Sequence, residues 1–373
     1  MTADSDSIFM DRALQLAERG FYSTTPNPRV GCVIVKDGRI IGEGWHEKAG
    51  EAHAEVMALR SSVGAGDTPF LGATVYVTLE PCSHFGRTPP CADALIAAGV
   101  SRVVVAMQDP NPLVAGKGLA KLRAAGISID CGLREAEATE LNIGFVSRMR
   151  HGRPWVRVKI ACSLDGKTAL ANGQSQWITG APARADGHLW RARSCAVLTG
   201  IGTVIDDNPR LTVRDVLDIG APVRQPLRVI VDSNLRTPID SAVVGAGTLI
   251  ASATADAERK TALESAGAEV IALPDAAGKV DLLKLLQAFA ARGINEVLVE
   301  AGARLNGALL EAGLVDELLI YQAPIILGND ARGMFDCTAL TALSDAKQWR
   351  IVERRTIGVD SFFRARRDGG EPK

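Results

Sequence analysis

The sequence has no excess of charge of either sign, few aromatic side chains and no apolar run of membrane-spanning length. Its 42 Lys and Arg residues are balanced by 43 Asp and Glu residues, and aromatic residues make up 5% of the chain. Proteins that bind nucleic acid use a surplus of basic side chains to neutralise phosphates. A membrane-spanning helix needs about 20 consecutive apolar residues. We therefore expect neither a nucleic-acid partner nor a membrane partner.

Signs of secretion are missing as well. Residues Met1–Ser7 are polar and acidic, without the basic start and apolar run of a secretory signal. The seven cysteines are an odd number in a long chain, which is not typical of a disulfide framework. We expect a protein of the reducing cytoplasm. Five cysteines stand among apolar or small residues and are predicted to be small buried side chains: Cys32, Cys131, Cys162, Cys195 and Cys337.

The length of 373 residues predicts two domains, and the 47% hydrophobic content is ordinary for a globular protein. The first half shows helical and strand patterns in the order α-β-β-α-β-α-β-α-β-α, which is typical of an α/β/α sandwich. The second half also alternates strands with helices and is predicted to be α/β with an antiparallel edge. We expect domains at 1–147 and 155–373, joined by a basic linker at 148–154.

One stretch of the first half has the residues of a catalytic zinc site. His53 and Glu55 lie two residues apart, and Cys82 and Cys91 follow after a strand. One imidazole and two thiolates hold zinc while leaving a fourth position open for water, whose pKa the metal lowers to about 7. Glu55 then suits a proton carrier, as in zinc deaminases. The alternatives are two ordinary buried thiols or a structural zinc closed by His84 as fourth ligand.

The two cysteines are separated by eight residues, whereas zinc deaminases often have two. The insert, 83–90, carries His84 and Arg87, which predicts a substrate with an anionic group. Helices are predicted at 51–61 and 91–98, so the metal would lie between two helix N-termini, where thiolates are favoured.

The second half has two glycine-containing turns. Residues 200–204 resemble a dinucleotide-binding loop, but the third glycine of that fingerprint is missing. Residues 296–309 predict a strand, a glycine turn and a helix N-terminus, which is a suitable site for a cofactor phosphate. A plain strand-to-helix turn explains the same pattern equally well.

Together these motifs resemble the family of bifunctional riboflavin-biosynthesis proteins, in which a pyrimidine deaminase is fused to a pyrimidine reductase. The resemblance covers nearly the whole chain, and the eight-residue cysteine spacing is this family's own. It is carried by Pro26–Val35, His53–Glu55, Thr78–Cys91, Gln108–Pro112, Ser163–Lys167, Gln176–Thr179, Asp206–Thr212 and Val299–Gly302.

The resemblance implies a cytidine-deaminase-like first domain and a second domain similar in fold to dihydrofolate reductases. It implies zinc-dependent deamination of 2,5-diamino-6-ribosylamino-4(3H)-pyrimidinone 5′-phosphate. NADPH would then reduce the ribosyl group to ribityl, giving 5-amino-6-ribitylamino-uracil 5′-phosphate. The proton donor of the reduction stays open among Lys159, Asp207 and Glu300.

The resemblance also implies roles for individual residues. In the first domain, Glu55 would be catalytic and His53, Cys82 and Cys91 would hold zinc. The deaminase substrate would contact Asn27, His46, His84, Arg87, Asp109 and Asn111. NADPH would contact Ala161, Trp177, Thr203, Asp207, Ser233, Gly302, Ala303, Arg304, Leu305, Asn306, Gly307 and Ala308. The reductase substrate would contact Lys159, Ser175, Arg191, Leu211, Arg214 and Glu300.

Three other functions are compatible with parts of the sequence. They are a deaminase of tRNA or single-stranded nucleic acid, a deaminase whose second domain is inactive, and a non-enzymatic scaffold with a structural zinc. The balanced charge disfavours the first alternative. We also expect a homo-oligomer, either a dimer or a tetramer.

Overall fold

Strands and helices alternate along most of the chain, and a computed structural model describes them for residues 3–61, 69–85, 89–214, 216 and 223–367. The chain divides into two units between Arg150 and His151.

The first unit is built on a five-stranded sheet. Its strands are β1 (Gly31–Lys36), β2 (Arg39–Trp45), β3 (Thr74–Val77), β4 (Arg102–Val105) and β5 (Ser128–Cys131). Their order is β2-β1-β3-β4-β5. Strand β1 runs antiparallel to β2 and β3, and β3, β4 and β5 are parallel. The helices are α1 (Ala3–Glu18), α2 (Ala54–Arg60), α3 (Cys91–Ala97), α4 (Lys117–Ala124), α5 (Glu135–Leu141) and α6 (Ile143–His151).

Helices cover both faces of this sheet, because successive strand residues point to opposite sides. Val75 and Val77 of β3 belong to the core that contains residues of α2, α3 and α4. Tyr76, between them, belongs to the core under α1, α5 and α6. This arrangement is the predicted α/β/α sandwich.

The second unit is built on a nine-stranded sheet of order β11-β10-β9-β8-β12-β6-β13-β16-β15. Its strands are β6 (Trp155–Cys162), β8 (Ala196–Gly200), β9 (Leu227–Val231), β10 (Thr248–Ser252), β11 (Glu269–Ala272), β12 (Glu296–Val299), β13 (Glu317–Gln322), β15 (Trp349–Ile357) and β16 (Asp360–Arg367). The first seven in sheet order are parallel, and β16 and β15 form the predicted antiparallel edge.

The helices of this unit are α7 (Ala181–Arg193), α8 (Ile201–Asp207), α9 (Ala257–Ser265), α10 (Leu282–Ala291) and α11 (Ala303–Glu311). Residues of α10 and α11 join the core on one face of the sheet, and residues of α7, α8 and α9 join the core on the other. Parallel strands covered on both faces explain the nearly continuous apolar runs of the central strands.

Two expectations from the sequence were wrong in detail, and one small sheet was not predicted. Residues 148–151 are not a linker but the end of α6, because the first helix-breaking residue is Gly152, which has a φ of +65°. Cys131 and Cys337 are exposed rather than buried, since Cys131 ends the edge strand β5 and Cys337 lies outside the strands and helices. A separate two-stranded sheet of β7 (Lys167–Ala169) and β14 (Arg332–Gly333) was not predicted.

Buried charges cross-link the central strands of the second unit. The guanidinium of Arg157 in β6 donates to Glu296 of β12 and, at 2.5 Å, to Glu317 of β13. The Arg157 side chain has no exposure, and those of the two glutamates have 2% or less. Arg193 and Arg366 also bind these glutamates, one each. A buried carboxylate requires such partners, because an unpaired buried charge is strongly destabilising.

We expect Arg157→Met to lower the free energy of unfolding of the second unit by about 3 kcal/mol, because two buried carboxylates lose their shared partner. Urea unfolding measures the change. Arg292→Met is the matched control: Arg292 pairs with Glu269 at 2.5 Å, but both side chains are partly exposed. Its loss is expected to cost less than about 1 kcal/mol. Equal losses for the two variants would contradict the prediction.

Candidate active sites

The zinc-type motif begins at the N-terminus of α2. His53 is the N-cap residue, with φ −76° and ψ 165°, and Ala54 is the first helical residue. The sequence predicted a helix from residue 51 with His53 and Glu55 in its first turn, at a helix N-terminus where the two side chains can converge. Because the helix starts later, His53 stands before its first turn and Glu55 is the second helical residue. Both side chains can therefore point to the same place.

The two cysteines reach this place from other elements. Cys91 is the first residue of α3, and Cys82 lies in the loop after β3. The backbone N–H of Cys91 donates to Sγ of Cys82 at 3.3 Å, and the N–H of Ala92 donates to the Cys82 carbonyl at 3.1 Å. The start of α3 thus holds the second half of the motif together.

The three donor atoms fit a zinc ion. Nδ1 of His53 lies 3.6 Å from Sγ of Cys82 and 3.3 Å from Sγ of Cys91, and all three atoms lie within 4.8 Å of one another. Tetrahedral bonds to zinc put nitrogen and sulfur ligands roughly 3.5 Å apart. His84 is exposed and does not belong to this group within the described residues. The arrangement favours a three-ligand site with an open position.

The directions in which the pKa values of Cys82 and Glu55 are shifted suit a metal ligand with a proton carrier beside it. The Cys91 thiol and His53 stabilise the Cys82 thiolate and hold the pKa of Cys82 well below its usual range. Glu55 is buried, with 3% exposure, and burial raises the pKa of its carboxyl group. A carboxyl group whose pKa is raised holds a proton more readily, which suits a group that accepts and returns a proton during catalysis.

His46 and Asn27 are joined beside His53. Nδ1 of His46 lies 3.1 Å from the Ala52 carbonyl, which can only accept, so Nδ1 carries the hydrogen. Nε2 then accepts from Nδ2 of Asn27 at 3.0 Å. Burial lowers the pKa of His46, which favours this neutral form. The ring of His46 stands edge-on to that of His53, with centroids 5.3 Å apart.

Three other predicted deaminase contacts, His84, Asp109 and Asn111, lie on two loops. The Asp109 carboxylate accepts the backbone N–H of Asn111 at 2.8 Å, and burial raises the pKa of Asp109 to about 6. Charge interactions with His84 and Cys82 also act on Asp109, so this loop lies near the metal motif. Arg87 lies outside the described residues.

We expect Cys82→Ser to reduce bound zinc at least tenfold, because a hydroxyl at this position does not replace a thiolate ligand. Metal analysis of the purified protein gives the zinc content per chain. Cys131→Ser is the control, because Cys131 is an exposed thiol in the same unit. Zinc retained by Cys82→Ser in full would show that Cys82 is not a ligand.

In the second unit, three charged residues meet at the sheet. Glu300 follows β12, and its carboxylate binds Arg191 of α7 through two bonds of 2.5 and 2.9 Å. Nζ of Lys159 in β6 lies 3.8 Å from the same carboxylate and 5.8 Å from the ring centre of Tyr321. Burial alone would raise the pKa of Glu300, but the charges of Arg191 and Lys159 outweigh it and hold the pKa at about 2. Glu300 is therefore ionised at neutral pH.

A polar cleft of about 520 Å³ opens beside Ser175 and Asp207. The Ser175 hydroxyl lies 3.4 Å from Oδ1 of Asp207, whose pKa is raised by burial. Arg332 lines the same cleft, and its guanidinium lies 3.7 Å from Asp206. The cleft thus brings together one residue predicted to bind substrate and one predicted to bind NADPH.

The predicted cofactor residues of 302–308 begin α11. Gly302 is its N-cap residue, and a Cβ there would lie 4.0 Å from Oγ1 of Thr203. Leu305 packs beside Gly200. Asn306 is buried and donates to the Ala301 carbonyl at 3.2 Å. These contacts unite the two glycine-containing turns at the carboxyl ends of β8 and β12, the usual ligand edge of a parallel sheet.

The remaining predicted residues of the second unit are spread over neighbouring elements. Ala161 pairs with Tyr321 across β6 and β13. Trp177 is exposed, with the Arg184 guanidinium 4.5 Å from its ring centre. Oγ of Ser233 accepts the Val280 N–H, and Gly307 lies against the Asp336 backbone. Leu211 is buried, whereas Arg214 is exposed. The last three residues belong to α11: Ala303, Arg304 and Ala308.

Several residues of these sites were not predicted. The Thr212 carbonyl accepts from Arg191 at 3.0 Å, and Nδ1 of His188 accepts the Arg214 N–H at 3.2 Å. A backbone carbonyl and a lone histidine have no distinctive sequence pattern. Glu80 was part of a quoted motif, but no role was expected for it.

Comparisons with known proteins match each unit to a family. Residues 3–107 match the cytidine and deoxycytidylate deaminase zinc-binding region, and residues 154–363 match the RibD C-terminal domain. These matches confirm the predicted pairing of a deaminase domain with a reductase domain. None of the described helices is both long enough and apolar enough to cross a membrane.

Similar proteins align over nearly the full chain. The riboflavin biosynthesis protein RibD of Escherichia coli (strain K12) is 50% identical over 364 residues, 95% of this chain and 97% of that protein. The RibD of Haemophilus influenzae is 48% identical over 367 residues, 96% of each chain. The structure resembles Acinetobacter baumannii RibD (form 1) with a TM-score of 0.90 and 45% identity, covering 98% of this chain and 99% of that one.

A second solved structure is named for both activities. It is a diaminohydroxyphosphoribosylaminopyrimidine deaminase/5-amino-6-(5-phosphoribosylamino)uracil reductase from Thermotoga maritima. It matches with a TM-score of 0.84 and 34% identity, covering 98% of this chain and 99% of that one.

Proposed function

The chain belongs to the RibD family, as a deaminase and reductase of riboflavin biosynthesis, and from this premise we propose its substrates, its cofactor and the roles of its residues. The first reaction removes the ring amine of 2,5-diamino-6-ribosylamino-4(3H)-pyrimidinone 5′-phosphate. The second uses NADPH to reduce the ribosyl group of that product to ribityl. The name of the Thermotoga maritima relative supports both substrates.

In the deaminase unit, His53, Cys82 and Cys91 would hold the metal. Zinc bound there supplies a water of lowered pKa. Glu55 takes the proton from the attacking water and delivers it to the amine, which leaves as ammonia while the ring carbon gains the oxygen. The observation that carries this assignment is the buried carboxyl group of Glu55, which is the second residue of α2 and stands two positions after the ligand His53.

The substrate is held on the side of Asn27, His46 and Asp109. Because Asn27 donates Nδ2–H to His46, its Oδ1 is directed away from that bond and can accept from a ring amine or N–H. Asp109 and Asn111 contact the substrate from their loop. His84 and Arg87 on the insert contact it too, and Arg87 binds the 5′-phosphate, for which a guanidinium is well suited.

In the reductase unit, NADPH supplies a hydride to the ring-opened imine of the ribosylamine. The imine nitrogen then needs a proton, and we assign Lys159 as its donor. Glu300 is ionised and cannot donate, and Asp207 is assigned to the cofactor, whereas the Lys159 ammonium lies beside Glu300. Arg191 and Glu300 hold the substrate together with Ser175, Leu211 and Arg214.

The cofactor lies along the carboxyl edge of the sheet, near the start of α11. Its phosphate groups would meet the N–H groups that follow Gly302, where a helix N-terminus favours negative charge. The other cofactor contacts are Ala161, Trp177, Thr203, Asp207, Ser233 and the residues from Ala303 to Ala308. We further propose that the protein works in the cytoplasm as a homo-oligomer, with deaminase residues 1–147 and reductase residues 155–373.

One assay tests the proposal. Purified protein with zinc and NADPH is incubated with the diaminopyrimidine phosphate, and ammonia release and NADPH oxidation are followed together. We expect ammonia first and one NADPH oxidised per ammonia released. Ammonia without NADPH oxidation would mean that the second unit is an inactive reductase, and no ammonia would overturn the deaminase assignment.

A further inference from the structure

Glu80 has four backbone partners, all from one segment of the chain. Its side chain is buried, with 3% exposure for the residue. Oε2 accepts the N–H groups of Asp109 at 3.2 Å and Gly116 at 2.9 Å. Oε1 accepts those of Gly118 at 2.9 Å and Leu119 at 3.3 Å. Two lone-pair sites on each carboxylate oxygen can satisfy this set.

Glu80 also belongs to the metal motif, since it stands two residues before Cys82. Its own N–H donates to the Met107 carbonyl at 3.0 Å, which extends the pairing of neighbouring strands β3 and β4. On the other side, the start of α4 touches the motif directly: a Cβ at Gly118 would lie 1.9 Å from the Pro81 carbonyl oxygen. Glu80 thus joins the Cys82 loop to residues 109–119.

The segment that Glu80 holds includes two predicted substrate contacts. Asp109 accepts the N–H of Asn111, and Oδ1 of Asn111 accepts the N–H of Leu113 at 3.0 Å. These bonds make the loop a locally ordered unit, but residues 108–116 contain no helix or strand. The bonds from this loop to Glu80 are made at both ends, at Asp109 and at Gly116.

We propose that Glu80 is a positioning residue of the deaminase site, which sets the place of the substrate-binding loop relative to the zinc ligands. The inference rests on the proposed function, because Asp109 and Asn111 matter only if they contact the pyrimidine. Glu80 touches neither substrate nor metal. Loss of the Glu80 carboxylate shifts the loop. The shift weakens substrate binding more than it lowers the rate at which bound substrate is deaminated.

The variant Glu80→Gln tests this role. Glutamine keeps the shape but replaces one acceptor oxygen by an NH₂ group, which faces two backbone N–H groups. We expect the KM for the diaminopyrimidine phosphate to rise at least tenfold, while kcat changes less than about threefold and zinc content stays that of wild type. The reductase, assayed with the deaminated compound, is expected to be unchanged.

A second buried carboxylate of the same unit provides the control. Asp6 accepts from Tyr76 at 2.5 Å and from Arg102 at 2.8 Å, and among the described residues these side-chain hydrogen bonds do not involve the loop of Asp109. Asp6→Asn should lower the melting temperature but leave the KM unchanged. A rise in KM of the same size in both variants would mean that Glu80 only stabilises the unit, which overturns the proposal.

Two further outcomes also decide the matter. Loss of zinc in Glu80→Gln would make Glu80 a support of the metal ligands, and an unchanged KM would remove it from the site; either overturns the proposal. If Glu80→Gln does not fold, Glu80→Asp is judged by the same KM and zinc criteria. A wild-type protein that releases no ammonia overturns the proposed function itself, which separates that failure from a failure of the Glu80 assignment.

Discussion

Glu55→Gln is expected to slow deamination at least about a thousandfold, while the protein keeps its zinc. General acid–base catalysis by a positioned side chain contributes roughly 10²–10⁴-fold, and here one carboxyl group makes both proton transfers. Glutamine preserves the shape but can neither accept the proton of water nor return it to the amine. The measurement is the rate of ammonia release at saturating substrate, with zinc content determined on the same sample.

Two controls separate this effect from misfolding. Glu51→Gln changes an exposed carboxylate just before α2 and should leave deamination unchanged. The reductase of Glu55→Gln, supplied with deaminated compound, should also work normally. Deamination at the wild-type rate by Glu55→Gln would show that another group carries the proton.

Lys159→Met is expected to lower the kcat of the reduction by about 10²–10⁴-fold, the contribution of a positioned proton donor. Methionine keeps much of the length of the side chain but has no proton to give to the imine nitrogen. Arg191 still neutralises Glu300 in this variant, so the carboxylate stays paired. NADPH oxidation with the deaminated compound gives kcat and the KM for each substrate.

The pattern of the kinetic changes identifies the role of Lys159. A lower kcat with an unchanged KM for NADPH is expected of a proton donor, whereas a higher KM for NADPH alone would make Lys159 a cofactor contact and contradict the assignment. Ammonia release should not change. Lys260→Met removes an exposed lysine of α9 from the same unit and should behave as wild type.

The fold could be predicted from the sequence because each unit is an ordered alternation of strands and helices. Residues Val75, Tyr76 and Val77 illustrate the reason: strand side chains alternate between two faces, and all three are buried because helices cover both. The missed elements are short. Strands β7 and β14 have three and two residues, too few for a periodic pattern to appear.

The metal motif was equally visible, because its ligands and Glu55 have few alternative explanations in that spacing. The geometry of the motif was harder to predict from the sequence. The prediction put His53 inside a helix, whereas the structure makes it the N-cap residue, and helix starts depend on local capping that a periodic pattern locates poorly.

The sequence by itself therefore determined the fold class, the family resemblance and the candidate chemistry of this protein. Only the tertiary structure decided which distant residues act together. Arg191 and Glu300 are 109 positions apart, and Glu80 binds N–H groups 29 to 39 positions away. The physical reason is that side-chain types and periods are local properties, whereas hydrogen-bond partners and pKa shifts arise from neighbours that only the folded chain brings together.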